Sequence, residues 1–167
     1  MKVLFEELSN NSRLWIYQAG RIFTSGEEGL INKELEAFCE QWSAHGHPLK
    51  TSFKIAHHQF LVLAADESYH LPSGCSIDSS VHVIKSLQIE TGIDFFDRTL
   101  IAFKLGDEVK LFPLTKLKEE FANGTLTSET LSFNNLVTTK LDWQNNWLVP
   151  VKDSWLARYL PKSVVES

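Results

Sequence analysis

Lys50–Ala65 reads KTSFKIAHHQFLVLAA, and its two halves have different periodicities. In the first half, Phe53 and Ile55 alternate with polar residues, the pattern of a strand with one buried face; FLVLAA is continuously apolar, the pattern of a strand buried on both faces. With only His57-His58-Gln59 between them, the two strands are expected to form a hairpin. Working outward toward the N-terminus, Leu14–Phe23 (LWIYQAGRIF) is rich in aromatic and β-branched residues and reads as a first strand, with Gly20 as a bulge or bend. Ser25-Gly26-Glu27-Glu28 matches a capping box in which Ser25 caps and Glu28 reaches back. The helix it opens carries Ile31, Leu35, Phe38 and Trp42 on one stripe, and Gly46 with Pro48 supplies its stop.

Working outward toward the C-terminus, Pro72-Ser73-Gly74 breaks the chain. A second helix is expected from about Ser76 to Thr91, with Ile77, Val81, Ile84 and Leu87/Gln88 inward and Gly92 as its end. Thr99–Leu105 and Glu108–Phe112 flank Gly106-Asp107, which signals another hairpin. Strand, helix, strand, strand, helix, strand is the order of the ferredoxin-like split βαβ sandwich, an α+β fold with both helices on one face of an antiparallel sheet. Residues 1–105 are therefore expected to form that domain. Residues 106–167 are expected to form a C-terminal hairpin, helix and strand extension packed on it, with a helical stretch at Lys116–Phe121, a turn at Asn123-Gly124, a strand in TLSFNNLV and a Trp-rich tail.

Composition narrows the function classes. The 167 residues carry 16 basic and 21 acidic side chains, a net charge of −5, which disfavours a sequence-independent nucleic-acid binder. The longest apolar run, Phe60–Ala65, falls far short of the roughly 20 residues of a membrane span. With Glu6 and Glu7 near the start instead of an export signal, the chain reads as cytoplasmic. Cys39 and Cys75 form neither a CxxC pair nor a disulfide framework, and no metal or cofactor is called for. Cys39 sits beside the apolar stripe of the first helix and reads as a buried small hydrophobe.

The sharpest local signal is SGCSIDSS, residues 73–80. A glycine-containing turn opens a helix there among small polar side chains, where free amides and the positive helix end favour a small anionic ligand. Ser73, Gly74, Cys75, Ser76 and Asp78 are the candidate ligand-binding residues. The same field would lower the thiol pKa of Cys75, the candidate catalytic nucleophile, although Asp78 opposes it. Ser73, Ser76 and Asp78 are also ordinary helix caps. Asp78 and His82 read as a solvated i,i+4 pair. His45-Gly46-His47 reads as a helix end and not as a metal site, and Asp97-Arg98 as an ion pair at the entry to the fourth strand. Trp143 and Trp147, set among polar neighbours, are the candidate contact for a protein partner.

LWIYQAGR, FCEQWSAHG, SGCSIDSSV, FNNLVTTK and SWLAR together resemble an uncharacterised family of short Bacteroidetes proteins often labelled "ABC transporter ATPase", over roughly residues 10–160. The resemblance implies no activity and no residue role. The label conflicts with the sequence, which has no GxxxxGK[ST] loop to cradle phosphates. These observations lead first to a non-catalytic binding or regulatory protein with an anion-friendly pocket at the second helix. The alternatives are a thiol-dependent enzyme using Cys75 and a structural or protein-interaction module.

Overall fold

The computed structural model describes residues 1–44, 47–66 and 74–162, with backbone alone for residues 44, 47, 48 and 74–77. The chain is mixed α and β and forms two compact units, one of residues 1–96 and 136–144, the other of residues 97–135 and 145–167.

In the first unit, β1 (Arg13–Gln18), β4 (Lys50–Ala56) and β5 (Phe60–Asp66) form a three-stranded antiparallel sheet in the order β1-β5-β4. The expected hairpin is present, with Ala56 opposite Phe60. Central β5 is fully buried from Phe60 to Ala65, as its uninterrupted apolar run requires. Helix α1 (Ser25–Gln41) connects β1 to β4, which run parallel with β5 between them, and α2 (Gly74–Thr91) follows β5. Two short strands, β2 (Ser43–Ala44) and β3 (His47–Pro48), form a separate antiparallel pair between α1 and β4. Ile31 and Leu35 of α1, Ile84 and Leu87 of α2, and Leu61, Leu63 and Ala65 of β5 share one core. On the other face Leu14, Val62 and Ala64 pack with Phe5, Leu8 and Trp143. The alternating side chains of one sheet thus feed two cores.

Four details differ from expectation. Helix α1 stops at Gln41, ahead of the expected stop at Gly46 and Pro48, because Trp42 is already extended and Ser43–Ala44 enters the β2–β3 pair. Second, the capping box of α1 belongs to Thr24 and Glu27, one residue earlier than Ser25 and Glu28: Glu27 N–H donates to Thr24 Oγ1 and Thr24 N–H to Glu27 Oε1. Arg21 also fixes the Glu27 carboxylate, through a bidentate pair. Third, α2 begins at Gly74 and not near Ser76, and ends as expected at Gly92, whose φ of 73° suits a residue without a Cβ. Fourth, the strand expected to complete a four-stranded split βαβ sheet, β6 (Leu100–Leu105), pairs elsewhere. Beside β1 lie instead residues 138–139, where Leu14 N–H donates to Thr138 O and Arg13 bridges Thr139. Periodicity identified β6 as a strand but held no information about which edge it would join.

The second unit is a four-stranded antiparallel sheet ordered β7-β6-β8-β9, with β7 at Glu108–Pro113, β8 at Leu131–Phe133 and β9 at Leu148–Pro150. Gly106, with a φ of 64°, makes the β6–β7 turn. Its core is Phe103, Leu117, Phe121, Leu126, Val151 and Leu156, with α3 (Leu117–Ala122) supplying two of these residues. A last helix, α4 (Lys140–Asn146), precedes β9. No helix among the described residues is long and apolar enough to cross a membrane.

Candidate functional site

The residues singled out in the sequence fall at the start of α2. Ser73 lies outside the described residues; Gly74, Cys75 and Ser76 form the first backbone turn of the helix, and their side chains lie outside the description. Asp78 is exposed one turn in, and His82 is exposed one turn further along. His45-Gly46-His47 also lies largely outside the described residues, and among those described no group of three or more histidine, cysteine or acidic side chains is placed to hold a metal.

Cys39 is buried as expected. It is fully enclosed, and burial pushes its thiol up to about 12. The tryptophan segment does not form one exposed patch. Trp147 is 6% exposed, its indole N–H donating to Asn135 Oδ1 and its ring stacking edge-on to Phe133, while half-buried Trp143 meets Phe5 at 5.5 Å. Trp155, at 50%, is the exposed tryptophan. Asp97 does not use Arg98 as its anchor: its carboxylate accepts from both the N–H and the hydroxyl of Thr99, which holds its pKa below the usual value.

The site that sequence reading missed is a cleft of about 450 Å³ in the first unit. One wall is the exposed face of α1, where Glu28, Asn32 and Glu36 succeed one another every fourth residue and so form a row along the helix. Phe53, Lys54 and Ile55 of β4 form the other side, Lys2 lies at one end, and His57 and His58 at the other. The ends are tied to the acidic row: Lys2 Nζ is 3.3 Å from Glu36 Oε2, and His58 Nδ1 is 2.6 Å from Glu28 Oε1.

His57 and His58 are the central residues of the β4–β5 turn, which Gln59 N–H closes onto Ala56 O. Their φ values are 52° and 55°, the pattern of a type I′ turn, which ordinarily carries Asn-Gly. These are the only positive-φ residues other than glycine among the described residues. Neighbouring contacts impose that conformation. Phe23 N–H donates to His58 O and Ala19 N–H to Gln59 O, while buried Gln59 returns its Nε2 to Ala19 O. The turn is therefore clamped to the connection leading into α1. In the sequence, the signal was a histidine pair at the two central turn positions, where glycine is favoured. Compared with family models, curated proteins and solved structures, the chain has no match.

Proposed function

We propose that this chain is a cytoplasmic binding or regulatory protein whose ligand seat is the cleft beside β4. The observation that carries the reading is the left-handed pair His57-His58 on the cleft rim. Non-glycine residues in that region cost on the order of 1–3 kcal/mol each, and such strain concentrates where side chains must be presented to a ligand. Glycine would relieve the strain but present no side chain. The lining suits a ligand with one cationic group and an apolar stem: Lys2 already meets Glu36, Lys54 borders the cleft, Glu28 stands on α1 beside His58, and the rings and methyls of Phe53 and Ile55 lie opposite.

The test is an amide-resolved NMR titration of the full chain with Nα-acetyl-lysine amide. Shifts confined to Glu28, Asn32, Ile55 and the histidine turn are expected. Saturating ligand that leaves those resonances in place would remove the reading.

The start of α2 is proposed as a second, anion-accepting place, supported by the helix beginning at Gly74, so that the small polar run occupies its first turn. Inorganic phosphate should then shift the amides of residues 74–78 in the same spectra, and a Gly74→Val variant should lose the response. The same first-turn position favours a thiolate at Cys75, and the thiol-enzyme alternative stands or falls with that group's reactivity.

A further inference from the structure

The cleft runs along a sheet edge. In the order β1-β5-β4, strand β4 is outermost; its outward peptide groups are bonded at its beginning, and further along the Phe5–Glu7 turn lies beside Lys54. At the beginning of β4 the first residues of the chain lie parallel to it: Thr51 N–H donates to Met1 O, Val3 N–H donates to Thr51 O, and Lys2 stands opposite Thr51. Since Thr51 directs its peptide groups away from β5, so must Phe53 and Ile55 at a period of two. Among the described residues nothing pairs with their outward N–H and C=O groups, because the chain leaves the edge after Val3 and enters the turn Phe5–Glu7.

The acidic row on α1 is in register with these vacant positions. Helix and strand run antiparallel, with Glu36 near Thr51 and Glu28 near the His58 end. From Glu36 to Glu28 is about 12 Å at 1.5 Å per helical residue. From Thr51 to Ile55 is about 13 Å at 3.3 Å per strand residue. Successive α1-facing residues of an added strand would therefore meet Glu36, Asn32 and Glu28 in turn. The first of these positions is already filled by the chain itself: Lys2 reaches Glu36 while its ammonium lies 5.8 Å from the centre of the Phe53 ring.

We infer that the edge of β4 captures an extended basic segment of a partner protein by strand addition, with main-chain bonds to Phe53 and Ile55 and a lysine or arginine that takes Glu28 from His58. This deepens the cleft reading and rests on it. Edge hydrogen bonds supply affinity and the alternate side chains specificity, as in other strand-addition complexes. The occupant carries a basic side chain for Glu28, because Lys2 already meets Glu36 and Lys54 lies by Glu6, whereas Glu28 is met by His58, and the chain carries a net charge of −5.

The experiment uses the heptapeptide acetyl-Thr-Lys-Val-Lys-Val-Lys-Thr-amide against the full chain, read by calorimetry and by hydrogen exchange at the Phe53 and Ile55 amides. Expected are protection of those two amides, a perturbed His58 ring, and binding at least about tenfold tighter than that of the same peptide with Glu for Lys, as a lost charge-assisted contact implies. N-methylating every second peptide amide should, in one of the two registers, weaken binding by about tenfold or more. Glu28→Gln, a partly exposed change, should weaken it several-fold with the fold intact. If both methylated peptides bind like the parent, strand addition is overturned while the cleft reading stands on its lysine-amide shifts. Absence of lysine-peptide binding, or equal binding of the glutamate peptide, overturns the inference outright. Concentration-dependent protection of Phe53 and Ile55 without peptide, with dimer mass in light scattering, would assign the edge to a second copy and overturn it as well.

Discussion

Replacing His57-His58 with Asn-Gly should make the protein more stable and bind less well. The two φ values of 52° and 55° place ordinary side chains where a Cβ crowds its own backbone, a cost of about 1–2 kcal/mol per residue. Asn tolerates the region and Gly is free in it, so the double change recovers about 2–3 kcal/mol. Against this stands about 0.5–1 kcal/mol for the extra freedom glycine gives the unfolded chain. The His58–Glu28 contact, on a side chain 74% exposed, offsets at most a further ~1 kcal/mol after solvent screening. The clamp through Phe23 N–H, Ala19 N–H and the closing Gln59 N–H uses backbone and survives the change. A net gain of about 1 kcal/mol follows, which raises Tm by about 2–4 °C for a chain of this size. Thermal melts followed by circular dichroism measure it directly. Lysine-amide shifts in the cleft should shrink in the same variant. A loss of 1 kcal/mol or more would refute the strain argument, and unchanged ligand shifts would refute the functional reading placed on it.

Lys140, 5% exposed, donates to Leu8 O at 2.7 Å and to Glu6 O at 3.3 Å. Lys140→Met leaves those carbonyls short of a donor and should cost about 2–3 kcal/mol in urea denaturation. Leu35→Ala, at a fully buried site on α1, should cost about 2–5 kcal/mol in the same assay. The Arg21 guanidinium and the Thr24 amide hold Glu27 down to about 2 from an ordinary 4.5. Because the folded pKa is the lower one, its contribution is present in full above about 4.5 and is lost as pH falls toward 2, so Glu27→Gln should flatten the acid limb of a stability–pH curve between those values. Cys39, enclosed and with its thiol pushed up to about 12, should stay unmodified by iodoacetamide in the native protein. Alkylation in a Cys39→Ala background then reports on Cys75 alone, where a rate titrating well below 8.5 would favour a thiol enzyme.

Local pattern made much of this architecture legible. Ile31 and Leu35 of the stripe are buried on α1 and Trp42 is buried just past its end, the apolar run Phe60–Ala65 is the central strand, and Gly92 and Gly106 end a helix and make a turn. Long-range pairing was not legible: nothing within Leu100–Leu105 distinguishes a strand that completes the first sheet from one that builds a second. The cap of α1 lies one residue before the position that residue type favours: Ser is the better cap in general, but Arg21 fixes Glu27, which completes the box with Thr24. The cleft escaped because its parts come from three separate stretches, Lys2, the α1 row and β4 with the turn that follows it, and no motif links residues so separated. The sequence did hold one sign of it, a histidine pair where a type I′ turn favours glycine.

Hydrogen exchange at the Phe53 and Ile55 amides tests the central claim most directly. With the lysine heptapeptide at saturation, both amides should slow together with no change at Thr51, whose N–H is already bonded to Met1 O. Peptide binding that leaves Phe53 and Ile55 exchanging at their free rates would contradict the account.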